Sequence, residues 1–478
     1  MGRASEMDFG LESVKAFSGK MTQAVLGFVG TIVFARVLGP DGFGGFYSLL
    51  AVVLIADRPA RGVAQAVEKR RSESGAAGAE VVGAGVVGVA VVVTVLAAGS
   101  YAVRGRLRSV AGFEGAWVVF VLLLAALSGF ALVQKLLGSE GLIGLQTWND
   151  TLRSVLTLPA QIGFVLLGTG AAGLGYGLAG ATLAAVPVGL WFVRPSVSLP
   201  SVDTLRSVWA FARHSALGTL VGKAYDQFDI LLLNLVLGQA VSGYYKAAFS
   251  LAVPGVFLAN VVGAGLTPKL SSQLSEGGTA GSDVTNSVSY ASLFAVPVFF
   301  GALALPDALM VTVFGSGFAE TGVYLVGLAL YNLLHSQVVI YQHALGGLDR
   351  PDVEARVSTA TLLGNVVVGV ALVYTVGGVG VVAATVLAET GRLVVFARRL
   401  RSLVPDADLL SRPLAKQVTA GLVMCVVLVG LRRLVAVTGW PALVALVACG
   451  AVVYLGTLLG ISPELRLTLR SVYADARG

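Results

Sequence analysis

Gly27–Val53 reads GFVGTIVFARVLGPDGFGGFYSLLAVV. It is apolar on both sides and broken once, at Val37-Leu38-Gly39-Pro40-Asp41-Gly42. That is the form of two membrane-crossing segments joined by a tight turn. A helix needs about 20 apolar residues to cross a bilayer, and the runs 19–38 and 44–64 on either side of the break are of that length. Further runs follow at 79–102, 116–137, 150–168, 172–193, 209–237, 241–263, 285–306, 320–343, 357–376, 378–397, 416–435 and 440–460. The expectation is an all-α polytopic membrane protein of about fourteen spans, because hydrocarbon leaves a backbone few other ways to satisfy its polar groups.

Composition agrees. The chain has 478 residues, 56% of them hydrophobic and only 12% charged, with a mean hydropathy of +0.84. Soluble chains carry roughly 25% charged residues. A soluble enzyme, a disordered chain and a nucleic-acid-binding module are therefore excluded. Cys425 and Cys449 both lie in apolar runs and supply neither a disulfide framework nor a metal site. The 61 glycines suit closely packed membrane helices.

Residues 1–12 contain Glu6, Asp8 and Glu12, and no apolar core of a signal peptide follows a basic start, so the first span is expected to stay uncleaved. Lys69, Arg70, Arg71, Lys135, Arg153, Arg194, Arg350, Arg398, Arg399 and Arg401 all fall on the side of the N-terminus. The opposite side holds Arg104, Arg106, Arg108, Arg432 and Arg433. The positive-inside rule then gives N-in and C-in, and accounts for most of the net charge of +7. No stretch is long enough for a nucleotide-binding domain. Gly218-Thr219-Leu220-Val221-Gly222-Lys223-Ala224 imitates a phosphate loop, but it has too few residues between its glycines and no Ser or Thr after the lysine.

Val37-Leu38-Gly39 is followed after four residues by Gly44, Gly45, Phe46 and Tyr47; Val236-Leu237-Gly238 is followed after four by Gly243, Tyr244, Tyr245 and Lys246. Both copies occupy an outer turn, six spans apart. An even offset keeps orientation, which implies a parallel repeat. The expected organisation is a six-helix half over 1–200, a second over 201–400, and two extra helices with a cytoplasmic tail over 401–478. Such repeats are typical of transporters.

Charges within the spans mark the candidate site, since each costs about 2.5–3.5 kcal/mol near the bilayer centre even on the lenient scale. In the second span, Asp57 and Arg61 share a helical face, Arg58 and Gln65 lie on the same side, and Pro59 interrupts the helix. This is either a cationic lining for an anionic substrate or a structural ion pair. In the seventh span, Lys223, Asp226 and Asp229 step by three, and Asn234 falls close to the lysine by helical angle. Lys246 follows in the eighth. The group is either a substrate or coupling-ion site, or a self-neutralising pair. The tenth span carries Tyr324, Tyr331, Asn332, His335, Gln342 and His343 on one stripe. The stripe suits sugar recognition, a proton relay through the histidines, or interhelical glue. Glu389 and Arg392 read as a structural pair. Arg36, just before the first turn, either snorkels outward or meets a phosphate.

The stretch Gly27–Val53 resembles the opening of the prokaryotic polysaccharide flippases of the multidrug/oligosaccharidyl-lipid/polysaccharide exporter superfamily. Asp229–Leu251, DILLLNLVLGQAVSGYYKAAFSL, resembles their seventh and eighth spans, and Leu266-Thr267-Pro268-Lys269-Leu270 the usual close of the eighth. The resemblance implies two bundles around a central cavity and alternating access. It implies transport of a polyprenyl-linked oligosaccharide from the cytoplasmic to the outer leaflet of the cell membrane, for surface polysaccharide or glycoprotein assembly. A polymerase or oligosaccharyltransferase would act downstream. Cationic side chains meeting the lipid phosphate would here be Arg36, Arg58, Arg61, Lys223 and Lys246. No cofactor is implied beyond a coupling Na⁺ or H⁺. The nearest rival is a cation-coupled drug exporter of the same superfamily, with Asp226 and Asp229 as coupling groups. A membrane-embedded glycosyltransferase or glycan polymerase would need a sizeable outer loop with catalytic residues, and the outer loops here are short.

Overall fold

A computed structural model describes residues 9–73, 78–276, 278–409, 411–434, 437, 439–463 and 465–466, and of residues 9–18 and 20 only the backbone. The described residues are almost wholly helical and form no strand. Eleven helical stretches among them are long and apolar enough to cross a membrane. The expected fourteen segments all fall on helices, but they do not appear as fourteen separate stretches. Met21–Ala56 and Ile143–Val193 each run through a turn the sequence shows as a break. The expected seventh span carries Lys223, Asp226 and Asp229, which lower its hydropathy.

The chain divides into two compact units, Met1–Gly243 and Tyr244–Gly478. The first contains α1 (Phe9–Ala56), α2 (Arg58–Glu73), α3 (Gly78–Ala102), α4 (Arg104–Ala111), α5 (Ala116–Ser139), α6 (Ile143–Phe164), α7 (Gly170–Val193) and α8 (Val202–Leu237). α2 packs on α3, α5 and α8 through Val63, Val67, Val82, Leu132, Leu136 and Val208, all buried. α6 pairs with α7, and α7 with α5. α9 (Gln239–Ala252) crosses the boundary between the units.

The second unit continues with α10 (Phe257–Ser275), α11 (Gly281–Ala291), α12 (Ala295–Ala304), α13 (Pro306–Phe314), α14 (Gly322–Gly347), α15 (Pro351–Val376), α16 (Gly378–Leu403), α17 (Arg412–Leu434) and α18 (Trp440–Ile461). α14 lies against α10 and α16, with Val338, Ile340, Tyr341 and Phe396 in their common core. The C-terminal pair α17 and α18 packs together and onto α12 through Phe300, Met424, Leu428 and Tyr454. The Tyr454 hydroxyl donates to the Leu293 carbonyl (3.1 Å).

The sequence repeat has a backbone counterpart. Gly39 bends α1 with φ 65° and ψ 178°, and Gly238 separates α8 from α9 with φ 93° and ψ 176°. Side-chain-bearing residues are all but excluded from this region, so both copies need glycine for the same reason. The motifs also meet. A Cβ on Gly44 would strike the Gln239 carbonyl oxygen, and one on Gly243 the Pro40 carbonyl oxygen. Beside this contact, the Asn234 amide donates to Ser48 Oγ (2.9 Å) and to the Val110 carbonyl (3.1 Å). Ser48 Oγ donates to Ser242 Oγ (3.2 Å). Asn234 therefore serves this buried polar knot. It stands eleven residues from Lys223, about 16 Å along the helix axis at 1.5 Å per residue.

Adding a methyl group at the contact forces two backbones apart, and overpacking of this kind costs about 1–3 kcal/mol. Gly44→Ala and Gly243→Ala are each expected to lower the thermal unfolding midpoint of the detergent-solubilised protein by several degrees. Gly99→Ala, where a Cβ meets nothing within 4 Å, is the control and should leave the midpoint unchanged or slightly higher, since alanine favours the helix. Equal midpoints for all three variants would contradict the close approach.

Candidate functional site

Asp57 lies at the junction of α1 and α2, and Pro59 explains the junction. Without an N–H, Pro59 cannot donate to the carbonyl of residue 55, so the helix loosens there. The hydrogen bonds on either side persist: Asp57 N–H to the Val53 carbonyl (2.9 Å) and Arg61 N–H to the Asp57 carbonyl (3.0 Å). The Asp57 side chain is fully buried, at 0% exposure. One carboxylate oxygen accepts from Arg61 Nε at 2.6 Å, and the other stands 2.9 Å from Arg58 Nε. Arg58 Nε also donates to the Leu54 carbonyl (2.8 Å). The expected Asp57–Arg61 pair thus exists, with Arg58 as its third member. Both arginines approach the shared carboxylate through Nε.

These arginines line a cavity of about 730 Å³ within the first unit, bounded by α1, α2, α5, α6 and α7. Two more cations line it, Lys135 and Arg153. Lys135 pairs with Glu68 (2.7 Å) and Arg153 with Asp150 (2.8 Å), and the Arg153 guanidinium lies 5.2 Å from the Phe130 ring centre. Four cations share three carboxylates, Asp57, Glu68 and Asp150, so the wall keeps a positive excess at Arg58 and Arg61. Gln23, Gln65, Gln134, Gln146 and Thr147 add amides and a hydroxyl. Gln65 accepts a short hydrogen bond from Ser215 of α8. Gln134 has both amide atoms buried with no protein partner. A smaller pocket of about 190 Å³ adjoins, sharing Gln23, Leu50, Arg153 and Leu178 and adding Thr31, Tyr47 and Gln161.

The other candidates do not line this cavity, although Asp226 of α8 lies near enough to Arg58 to attract it. Arg36 is exposed on α1 ahead of the Gly39 bend. Lys223 and Asp226 form an i,i+3 pair at 3.4 Å, and Asp229 is buried on the same helix. Lys246, in the second unit, is half-buried with its Nζ 6.0 Å from the Phe249 ring centre.

The stripe on α14 separates into distinct contacts. The Asn332 amide donates back to the Leu328 carbonyl (3.0 Å). His335 Nδ1 sits 2.7 Å from Glu389 Oε1 and its ring stacks on Tyr331. Glu389, fully buried, also meets Arg392 (3.4 Å). His343 Nδ1 faces the Thr267 hydroxyl (3.0 Å), tying α14 to α10. Gln342 donates to Glu354 (3.1 Å). Eight residues, about 12 Å of helix, separate the two histidines, and the structure gives them different partners.

Sequence reading counted Lys135 and Arg153 as loop charges and passed over Gln134. The signal was present: all three lie within or at the end of apolar runs, and the dipeptide Gln134-Lys135 closes the fourth.

An unsatisfied buried amide costs about 1–3 kcal/mol, which a non-polar residue of similar shape avoids. Gln134→Leu is therefore expected to raise the unfolding midpoint while weakening substrate binding. A variant with a lower midpoint would show that the amide is satisfied in the unliganded protein.

Comparison with known proteins places this geometry in a family. A family model described as "Polysaccharide biosynthesis protein" matches residues 33–322. The chain is 28% identical over 454 residues to the probable low-salt glycan biosynthesis flippase Agl15 of Haloferax volcanii, covering 94% of this chain and 95% of that protein. It is 24% identical over 487 residues to the probable flippase AglR of the same organism, covering 100% and 99%. Among solved structures, the lipid II flippase MurJ in an inward closed conformation shares the fold with a TM-score of 0.73 at 15% identity, covering 94% of this chain and 97% of that one. An inward-facing multidrug resistance MATE transporter of the MOP superfamily follows with a TM-score of 0.59 at 15% identity, over 82% and 98%. The chain belongs to the polysaccharide biosynthesis protein family.

Proposed function

We propose that this multi-pass membrane protein is a lipid-linked glycan flippase. It moves a polyprenyl phosphate- or pyrophosphate-linked oligosaccharide from the cytoplasmic to the outer leaflet. The observation that carries the reading is the pair of arginines held on one buried carboxylate at the wall of a cavity lined by several amide side chains, with both amide atoms of Gln134 buried and unpartnered. Guanidinium groups match phosphate oxygens in planar, paired hydrogen bonds, and amides suit sugar hydroxyls. The glycan and flippase names of the relatives support the same substrate class.

Such a substrate needs a protein, since sugar hydroxyls cannot be satisfied in hydrocarbon. No bond is made or broken in this reading, so the protein acts as a transporter and not as an enzyme. The cycle is a rocking of two halves whose boundary falls at the end of the first unit, near Gly243, and not at residue 200, because α8 packs on α2 within the first unit; 401–478 is accessory. An inside-negative potential favours outward movement of an anion by about 2.3 kcal/mol per charge per 100 mV, and exchange against Na⁺ or H⁺ supplies the remainder. The product would feed a polymerase or oligosaccharyltransferase at the outer face.

A deletion strain should accumulate complete lipid-linked oligosaccharide on the cytoplasmic face, shielded from an impermeant probe. An unchanged pool and sidedness would overturn the assignment. Within the site, one substitution at a time is the clean test, because removing both arginines strands a buried carboxylate. Arg61→Gln loses a charge-assisted hydrogen bond of about 1.5–3 kcal/mol, or about 10- to 100-fold in transport, at normal expression. Arg61→Lys should recover only part of it, having lost the planar fork. Wild-type transport by Arg58→Gln and by Arg61→Gln would remove the phosphate contact from the account.

A further inference from the structure

In the second unit, α15 and α16 run antiparallel and leave a trough between them of about 480 Å³. Ala360, Gly364 and Val368 line one wall; Ala384, Ala388 and Gly391 line the other. The two glycines hold it open, for a Cβ at either would meet nothing within 4 Å. The Thr361 hydroxyl donates to the Val357 carbonyl of its own helix (2.8 Å), which leaves the floor apolar.

One end is cationic. Arg356 and Arg392 line it. The Arg356 side chain is 82% exposed, with Asp352 at 3.6 Å. Arg392 is only 8% exposed; its terminal nitrogens meet Glu389 and Ser358, while its buried Nε has no hydrogen-bond acceptor. Arg350, Arg398, Arg399 and Arg401 lie at the same end of the helix pair, against Asp352 and Glu354. The positive-inside rule puts this end at the cytoplasmic face. The twelve residues from Arg356 to Val368 span about 18 Å, a little over half of a bilayer core about 30 Å thick. The trough therefore runs from the cytoplasmic headgroup level to the midplane, the reach of one acyl chain.

We propose that this trough binds one anionic phospholipid of the cytoplasmic leaflet, its phosphate at Arg356 beside Arg392 and one acyl chain laid over Gly364 and Gly391. It is a site for a resident lipid and not for the glycan, because beyond its cationic end it offers nothing for sugar hydroxyls. It does not depend on what the first unit's cavity carries.

The test is native mass spectrometry of the full-length protein after incubation with phosphatidylglycerol, phosphatidylcholine or a polyprenyl phosphate. The wild type should retain one phosphatidylglycerol in preference to phosphatidylcholine. Gly391→Leu and Gly364→Leu each add bulk to open space and improve helix propensity, so folding is preserved. Each should reduce retention about tenfold, the loss of about two buried methylenes. Arg356→Gln should abolish the preference for phosphatidylglycerol and leave residual lipid binding. Equal retention of both phospholipids by the wild type, unchanged retention in both leucine variants, or displacement of phosphatidylglycerol by the polyprenyl phosphate would overturn the proposal.

Discussion

One carboxylate organises the first unit. Asp57 is out of contact with solvent and is held by two guanidinium groups. A lone buried charge is prohibitively costly, whereas a paired and hydrogen-bonded one is tolerated. Here the pairing is uneven, with two arginines for one acid. The surplus charge cannot be relieved within the pair, so it faces the cavity. Pro59 places this cluster at a loosened point of the helix, and Arg58 Nε donates to the Leu54 carbonyl beside it. Lys135 and Arg153 extend the cationic wall from α5 and α6, each fixed by its own acid.

The glycine turns form a second, independent constraint. Gly39 and Gly238 hold nearly the same backbone conformation, and Gly44 meets the segment that holds Gly243 closely enough to exclude any side chain. The repeat is thus more than a likeness of letters. The buried knot of Asn234, Ser48 and Ser242 settles the polar groups that this close contact encloses.

Much of the fold was legible because hydrophobic run length is a strong, local signal. The Asp57–Arg61, Lys223–Asp226 and Glu389–Arg392 pairs were legible for the same reason, since helical spacing alone sets them. The site was legible only in part. Arg58 and Arg61 were singled out and line the cavity, but the other cations of its wall come from α5 and α6, and contact between helices leaves no periodic trace in one sequence. The same limit hid the link from His335 to Glu389, which joins α14 to α16. Angular agreement along a single helix also misled: Asn234 shares an angle with Lys223 yet serves the knot near the Gly238 turn, and the stripe on α14 resolves into four unrelated contacts.

The most direct measurement of the central claim is a cryo-EM structure of the protein loaded with a polyprenyl-linked oligosaccharide. The lipid phosphate is expected within hydrogen-bond distance, about 3 Å, of the guanidinium nitrogens of Arg58 or Arg61, with sugar hydroxyls at Gln134. A phosphate bound elsewhere, with the Arg58–Asp57–Arg61 cluster unchanged and unoccupied, would contradict it.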